Sequence, residues 1–391
     1  MLRMPVLPVK PSAPLAIRLT ALDLIRGLVM VLMAIDHVRV YSGQPAGGPT
    51  VGIFFTRWVT HFCAPAFAFL AGTGAFLHGR KTGDPRALAR YLVKRGLVLV
   101  LLELTVIRFA WTFNFDYANF VLAGVIWMLG WCMVLLAGLV RLPARTVGTI
   151  GLAIIFFQQA LHVLPRALPE AMRSSAGWIW EFIYPAGLPR LPGISILYVL
   201  APWIGVMAAG YGFGAIMVRE ASDRRRLCLG IGLSATGLFL LAGGLALFLL
   251  PQPADAPNPL FRLLNQNKYP ASQLFLLMTL GPTIALIPFA ERARGWAAGA
   301  LATFGRVPMF YYLLHIPAIH LAALAVTFLR EGAVHPERYA HAPFTSVPEQ
   351  YRWSLPLLYL VFLVVIAGLY VPCRWFAGVK SRHREGWLSY F

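Results

Sequence analysis

Histidines set within apolar sequence are the residues of this chain best suited to chemistry. His37 closes the run RLTALDLIRGLVMVLMAIDH, His61 lies in FFTRWVTHFCAPAFAFLAGTGAFL, and His315 and His320 belong to FGRVPMFYYLLHIPAIH. Near pH 7 a neutral imidazole serves as general base or nucleophile, so histidines converging from separate helices suit acyl or proton transfer. Asp36 adjoins His37, Glu103 stands in LVLVLLELTV, and either is expected to orient an imidazole. His315 and His320 are five residues apart and point to different sides of one helix, so only one, assigned here as His315, faces the site.

A charge at bilayer depth costs about 2.5 kcal/mol or more, so each ionisable residue in an apolar run needs a partner or a role. At about 100° per residue, the step from Arg26 to His37 returns to nearly the same helix face. Asp23, Arg26, Met30, Met33 and His37 therefore form one stripe, with Asp23 and Arg26 at one end and His37 at the other. Arg57 stands one turn before His61, and Ala64, Ala68, Gly72 and Ala75 make a small-residue ridge for close helix packing. Asp116 follows the third apolar run, NQNKYPASQ brings Asn265, Asn267, Lys268 and Tyr269, and the ninth run carries Arg306 before Pro308 and Tyr311 between Pro308 and Pro317.

Competing chemistries lack their signatures. No GxSxG occurs, and no strand-to-helix alternation exists to build a nucleophile elbow. No HExxH, P-loop or GxGxxG is present, so no metal and no nucleotide-driven step is expected. Cys63, Cys132, Cys228 and Cys373 are widely spaced within or beside apolar runs and read as small core residues.

The elements that must position these residues are membrane helices. The 391 residues are 59% hydrophobic and 13% charged with mean hydropathy +0.68, more apolar surface than one soluble core hides. The sequence predicts an all-α polytopic bundle of about ten spans, near 18–40, 51–78, 92–110, 120–140, 147–165, 194–217, 227–250, 271–290, 297–329 and 354–376. A net charge of +19 invites a nucleic-acid reading, but the basic residues sit in short clusters between apolar runs. That pattern excludes nucleic acid as a partner and follows the positive-inside rule.

Clusters at Arg80 to Arg95, Arg141 with Arg145, Arg219 to Arg226 and Arg292 with Arg294 all fall on the side of the N-terminus. Both termini are therefore expected in the cytoplasm. Residues 1–17 are expected to form a cytoplasmic segment without a cleaved signal, 18–376 a single transmembrane domain, and 377–391 a basic cytoplasmic tail. Longer outer loops around 166–193, 251–270 and 330–353 suit a vestibule for substrate.

The runs RLTALDLIRGLVMVLMAIDH, FFTRWVTHFCAPAFAFLAGTGAFL, NKYPASQLFLLMTLG and FGRVPMFYYLLHI resemble, in order along nearly the whole chain, the catalytic domain of heparan-α-glucosaminide N-acetyltransferase and its bacterial relatives. The ten residues between Arg26 and His37 are also similar to the Arg-x10-His pattern of membrane acyltransferases that O-acetylate extracytoplasmic glycans. The resemblance implies transfer of an acetyl group from cytosolic acetyl-CoA, as co-substrate, to a sugar amine or hydroxyl outside.

Its implied partners are the lipid bilayer, acetyl-CoA and an extracytoplasmic sugar or glycan acceptor, and a homo-oligomer is compatible with it. Asp23, Arg26, Arg57 and Arg306 are then assigned to CoA. His37, His61, His315, Asp36 and Glu103 are assigned to catalysis, and Asp116, Asn265, Asn267, Lys268, Tyr269 and Tyr311 to the acceptor. The loop from Tyr41 to Phe55, where the human-type enzyme carries an acetyl-accepting histidine, has none, so direct transfer with His37 or His61 as base is expected. Arg over Lys and Ala-rich spans suggest a bacterial plasma membrane. The rival reading is a transporter or flippase of a glycan or lipid intermediate, using the same polar cavity without chemistry.

Overall fold

The predicted apolar runs fold mainly as helix, and the breaks between helices follow local chemistry. The computed structural model describes residues 13–47, 50–188, 190–249, 251 and 257–382. The outer parts of the expected terminal segments, 1–12 and 383–391, with Arg3, Lys10 and Arg384, lie outside the described residues. Helix α1 (Ala13–Tyr41) is followed by α2 (Val51–Trp58), a 3-10 turn and α3 (Cys63–Thr82). Helix α4 (Pro85–Leu102) runs through a π-turn, Glu103–Ile107, into α5 (Arg108–Thr112).

Strand β1 (Val121–Ala123), α6 (Val125–Leu139), α7 (Ala144–Phe157), α8 (Ala160–Val163), α9 (Glu170–Ile183), β2 (Ile194–Ile196), α10 (Leu200–Met217) and α11 (Ala221–Leu249) come next. The chain ends with α12 (Pro259–Leu264), α13 (Gln273–Ala290), α14 (Trp296–Arg306), α15 (Pro308–Glu331) and α16 (Leu355–Arg382).

The molecule is an all-α polytopic bundle and a multi-pass integral membrane protein. Among the described residues six helical spans are long and apolar enough to cross a bilayer by length and composition, and a seventh arises if α7 and the bent segment after it count as one. The only regular strands among the described residues are β1 and β2, a three-residue parallel pair that ties the entrances of α6 and α10 together. Sequence alone reads both segments as helix, because three residues are too few to carry a usable periodicity.

Turn chemistry sets the boundaries. Gly83, at φ 69°, ends α3 in the left-handed region, and one residue later the Asp84 carboxylate accepts from the Arg86 amide at 2.8 Å to start α4 on Pro85. The long ninth run is not one helix. Val307, at φ −127° and ψ 51°, breaks it, and Pro308 opens α15 where its missing N–H costs nothing.

Helix α1 is the axis of the bundle, flanked by α3, α13, α14, α15 and α16. Its contact with α14 is backbone on backbone. A Cβ placed on Gly27 would collide with the Leu301 carbonyl, and one on Gly305 with the Asp23 carbonyl. The small-residue ridge of α3 packs on α10 in the same way, with Gly72 against Met207 and Gly210 against Phe69.

Glu103 serves the fold from the π-turn. Its Oε2 accepts from the Ile126 amide at 3.0 Å and the Trp127 amide at 3.3 Å, capping α6 from another helix. Gly124 lies so close that a Cβ there would strike the same carboxylate. Glu103→Ala orphans both amides and is expected to destabilise the protein by about 2 kcal/mol or more, read as a lower Tm, with Glu103→Gln recovering part of the loss.

Candidate active site

The bundle encloses two cavities that approach each other from opposite ends and share Tyr312 as a lining residue. The first, about 290 Å³, opens at the end that carries the basic clusters. Its walls include Arg26 of α1, His78 of α3, Arg95 of α4, Arg306 of α14 and Lys380 of α16, above a sleeve of Met30, Leu70, Leu99, Ile126 and Met133. Four cations from four helices thus ring one mouth.

Asp23 accepts from Arg26 at 2.8 Å, and Arg26 also donates to the Gly305 carbonyl at 3.2 Å. The ion pair fixes Arg26 across the α1–α14 contact. Lys380 donates to the Arg306 carbonyl at 3.2 Å, which pins the end of α16 over the same mouth.

The second cavity, about 570 Å³, opens at the other end. His37 lines it together with Asp36, Arg39, Arg57, Glu103, Trp111, Tyr198, Tyr269 and Tyr312. The His37 imidazole packs its edge on Trp111 at 4.8 Å between ring centres. Its Nδ1 lies 2.7 Å from Nε2 of His315, which is fully buried behind it.

Hydrogen-bond bookkeeping assigns the protons. Nδ1 of His315 is 2.7 Å from the Tyr312 carbonyl and 3.2 Å from that of Tyr311, and carbonyls only accept. The proton of neutral His315 is therefore on Nδ1, and its Nε2 is an acceptor. His37 must then donate from Nδ1, which leaves the lone pair on its Nε2. A buried histidine has set the tautomer of the histidine at the cavity wall, the orienting role that a carboxylate fills in a catalytic triad.

Neither carboxylate expected to orient an imidazole is hydrogen-bonded to one in this structure. Asp36 accepts from Arg39 at 2.9 Å and lies in the field of Arg57 and Lys268, while Glu103 is committed to the α6 amides although it lines the cavity. The neighbouring ninth-run histidine sits elsewhere. His320 stacks on Phe113 at 3.9 Å between centres and touches Tyr41 and Tyr339, with Nδ1 3.3 Å from the Ala110 carbonyl.

His61 lines an adjoining cavity of about 310 Å³ with Arg57, Trp58, Asn265, Gln266, Asn267, Lys268 and Tyr269. Arg57 and Tyr269 border this cavity and the one that holds His37. His61 is buried on the edge of Phe275, and its Nδ1 has no hydrogen-bond partner among the described residues. Lys268 is held over the rings of Tyr198 and Tyr269 at 5.7 and 5.2 Å.

The remaining candidates are dispersed. Arg57 stands with His61, at the opposite end from Arg26 and Arg306, because its helix enters the bundle from that side. Asp116 is exposed in a loop and accepts from Asn119 at 2.9 Å. That loop is anchored by the buried Arg108, which donates to the backbone of Asn114, Asp116 and Phe120. Tyr311 turns away from the cavities and donates to the Met30 carbonyl at 3.1 Å, whereas Tyr312 beside it occupies the junction.

Of the first mouth and the junction, sequence reasoning reached Arg95 only within the Arg80 to Arg95 cluster and assigned no role to Lys380 or Tyr312. Arg95 and Lys380 look like topology charges, and Tyr312 differs from Tyr311 only in helix phase. The usable signal was the i to i+3 step from Tyr312 to His315, which puts both on one face of α15.

Residues 18–253 match the family model described as heparan-alpha-glucosaminide N-acetyltransferase, catalytic. No curated protein matches the chain.

Proposed function

As this chain belongs to the heparan-alpha-glucosaminide N-acetyltransferase catalytic family and is a membrane transferase, we propose that it carries acetyl from cytosolic acetyl-CoA to an extracytoplasmic sugar amine or hydroxyl. The observation that carries the reading is the pair of cavities meeting at Tyr312, with the oriented His37 imidazole beyond the junction. By the positive-inside rule the end bearing Arg26, Arg80, Lys81, Arg95, Arg306 and Lys380 faces the cytoplasm, and this reading takes the membrane to be a bacterial plasma membrane.

In this reading the CoA phosphates bind at the ring of Arg26, Arg95, Arg306 and Lys380. The pantetheine arm then follows the apolar sleeve. Arg26 and His37 are separated on α1 by a rise of about 16 Å, a distance the arm's peptide-like bonds can span. The thioester reaches Tyr312, and the acceptor enters from the opposite cavity.

Nε2 of His37 takes the proton of the acceptor amine or hydroxyl as the nitrogen or oxygen attacks the thioester carbonyl carbon. The new C–N or C–O bond forms, the C–S bond breaks, and the CoA thiolate recovers the proton from the imidazolium. His315 holds the ring in the productive tautomer throughout. Arg57, Lys268, Asn265, Asn267 and Tyr269 offer hydrogen bonds to the acceptor at the outer mouth, with His61 among them.

The test is direct. Purified protein in nanodiscs, given labelled acetyl-CoA and a panel of amino sugars and glycans, is expected to bind CoA and transfer label. Absence of both binding and transfer overturns the reading, and substrate passage without transfer moves the protein to the transporters. Arg26→Gln and Arg95→Gln are each expected to raise the KM for acetyl-CoA about tenfold or more while leaving kcat nearly unchanged, since a charge-assisted contact is worth about 1.5–3 kcal/mol.

A further inference from the structure

A third cavity lies away from the active site and takes no part in the chemistry above. It is a groove of about 550 Å³ between α7 and α10 on one side and α11 and α13 on the other. Helix α10 packs on α3 and α7, whereas α11 packs on α13, so α10 and α11 diverge although they follow one another in the chain. The groove occupies the gap. Its lining is almost wholly apolar, with Leu152, Ile155, Phe156, Ile216, Ile231, Leu277 and further aliphatic residues. Leu152, Phe156 and Ile231 are themselves exposed, so the groove is open to the surroundings of the helices.

Two observations define its occupant. The groove extends along α7 from Arg145 to Phe156, a rise of about 16 Å, close to half of a hydrocarbon core about 30 Å thick. It is therefore as long as one leaflet is deep. Arg145 is the sole cation in its lining; it sits at the basic end and is exposed, with no ion-pair partner for its guanidinium among the described residues. An apolar slot one leaflet deep, with an unneutralised guanidinium at its mouth, is complementary to an acyl chain carrying a phosphate.

We propose that this groove is a structural lipid site for one anionic glycerophospholipid from the leaflet at the basic end. Its acyl chain lies between α7 and α13, and its phosphate pairs with Arg145. The lipid fills the gap between the α3–α7–α10 and α11–α13 packing units and so supports the bundle from outside the active site. The assignment stands apart from the acetyltransferase reading, because no cavity residue of that site lines the groove.

Protein reconstituted with equal phosphatidylglycerol and phosphatidylcholine and then delipidated in stages is read by native mass spectrometry. The intact protein is expected to retain one phosphatidylglycerol after the annular lipids are gone. Arg145→Gln is expected to remove the preference for phosphatidylglycerol at least fivefold while leaving the fold intact. Ala235→Trp, which fills the slot, is expected to remove retention of both lipids. Retention of no lipid, equal retention of both by the unaltered protein, or retention unaffected by either variant overturns the proposal. A melting curve on each variant separates loss of the lipid from loss of the fold.

Discussion

His37→Ala lowers kcat by about 10³-fold or more, while calorimetric binding of CoA stays within about twofold of the unaltered protein. The magnitude is that of removing a positioned general base, which contributes about 10²–10⁴-fold, compounded by loss of the group on which the acceptor is oriented. Binding is expected to be spared because the cations proposed to hold the phosphates line the other cavity, on the far side of Tyr312.

His315→Ala is the diagnostic companion. It leaves the His37 ring in place on Trp111 but frees its tautomer, so kcat falls by about 10–100-fold with KM unchanged. Equal losses in the two variants would argue that both imidazoles touch substrate. Full turnover in His37→Ala would remove the imidazole from the mechanism altogether.

The largest effect on folding is expected at Gly305. Helices α1 and α14 touch through their backbones, and a Cβ at Gly305 would strike the Asp23 carbonyl while one at Gly27 would strike that of Leu301. Neither obstacle is the end of a flexible side chain. Gly305→Val must separate the two helices, which also pulls the Gly305 carbonyl away from Arg26. A destabilisation of about 3 kcal/mol or more is expected, at the upper end for single substitutions, and it should appear as loss of monodisperse protein on purification.

Gly299 on the same helix is the control. A Cβ there meets nothing within 4 Å, so Gly299→Ala is expected to be neutral or to stabilise by up to about 1 kcal/mol through helix propensity. The two glycines are chemically identical, and only the approach of α1 distinguishes them.

Helix positions were legible because apolar length and basic punctuation are properties of the sequence alone. Asp84-Pro85 and Val307-Pro308 even mark their boundaries with the residues that make them. What could not be read was partnership. His37 and His315 are 278 residues apart, and nothing in either run says that one will set the proton of the other. Asp36 adjoins His37 in sequence, but the next turn of helix brings Arg39, which claims the carboxylate first.

Charge was legible and helix direction was the correction to it. Arg57 looks like another phosphate ligand beside Arg26 and Arg306, yet it belongs to a helix entering from the opposite end. Glu103 looks like a catalytic carboxylate because it is costly to bury. The structure spends that cost on two amides at the start of α6.

The junction at Tyr312 has an electrical meaning. Where clefts indent a membrane protein from both ends, ions in solution follow, and the transmembrane voltage falls mainly across the material left between them. A full elementary charge crossing such a septum would exchange about 2.3 kcal/mol with each 100 mV of potential. In the proposed transfer an acetyl group would cross as a neutral passenger. The region around Tyr312, where the two cavities come nearest, is therefore where most of that potential would fall, and a neutral group handed across it would exchange no work with the voltage.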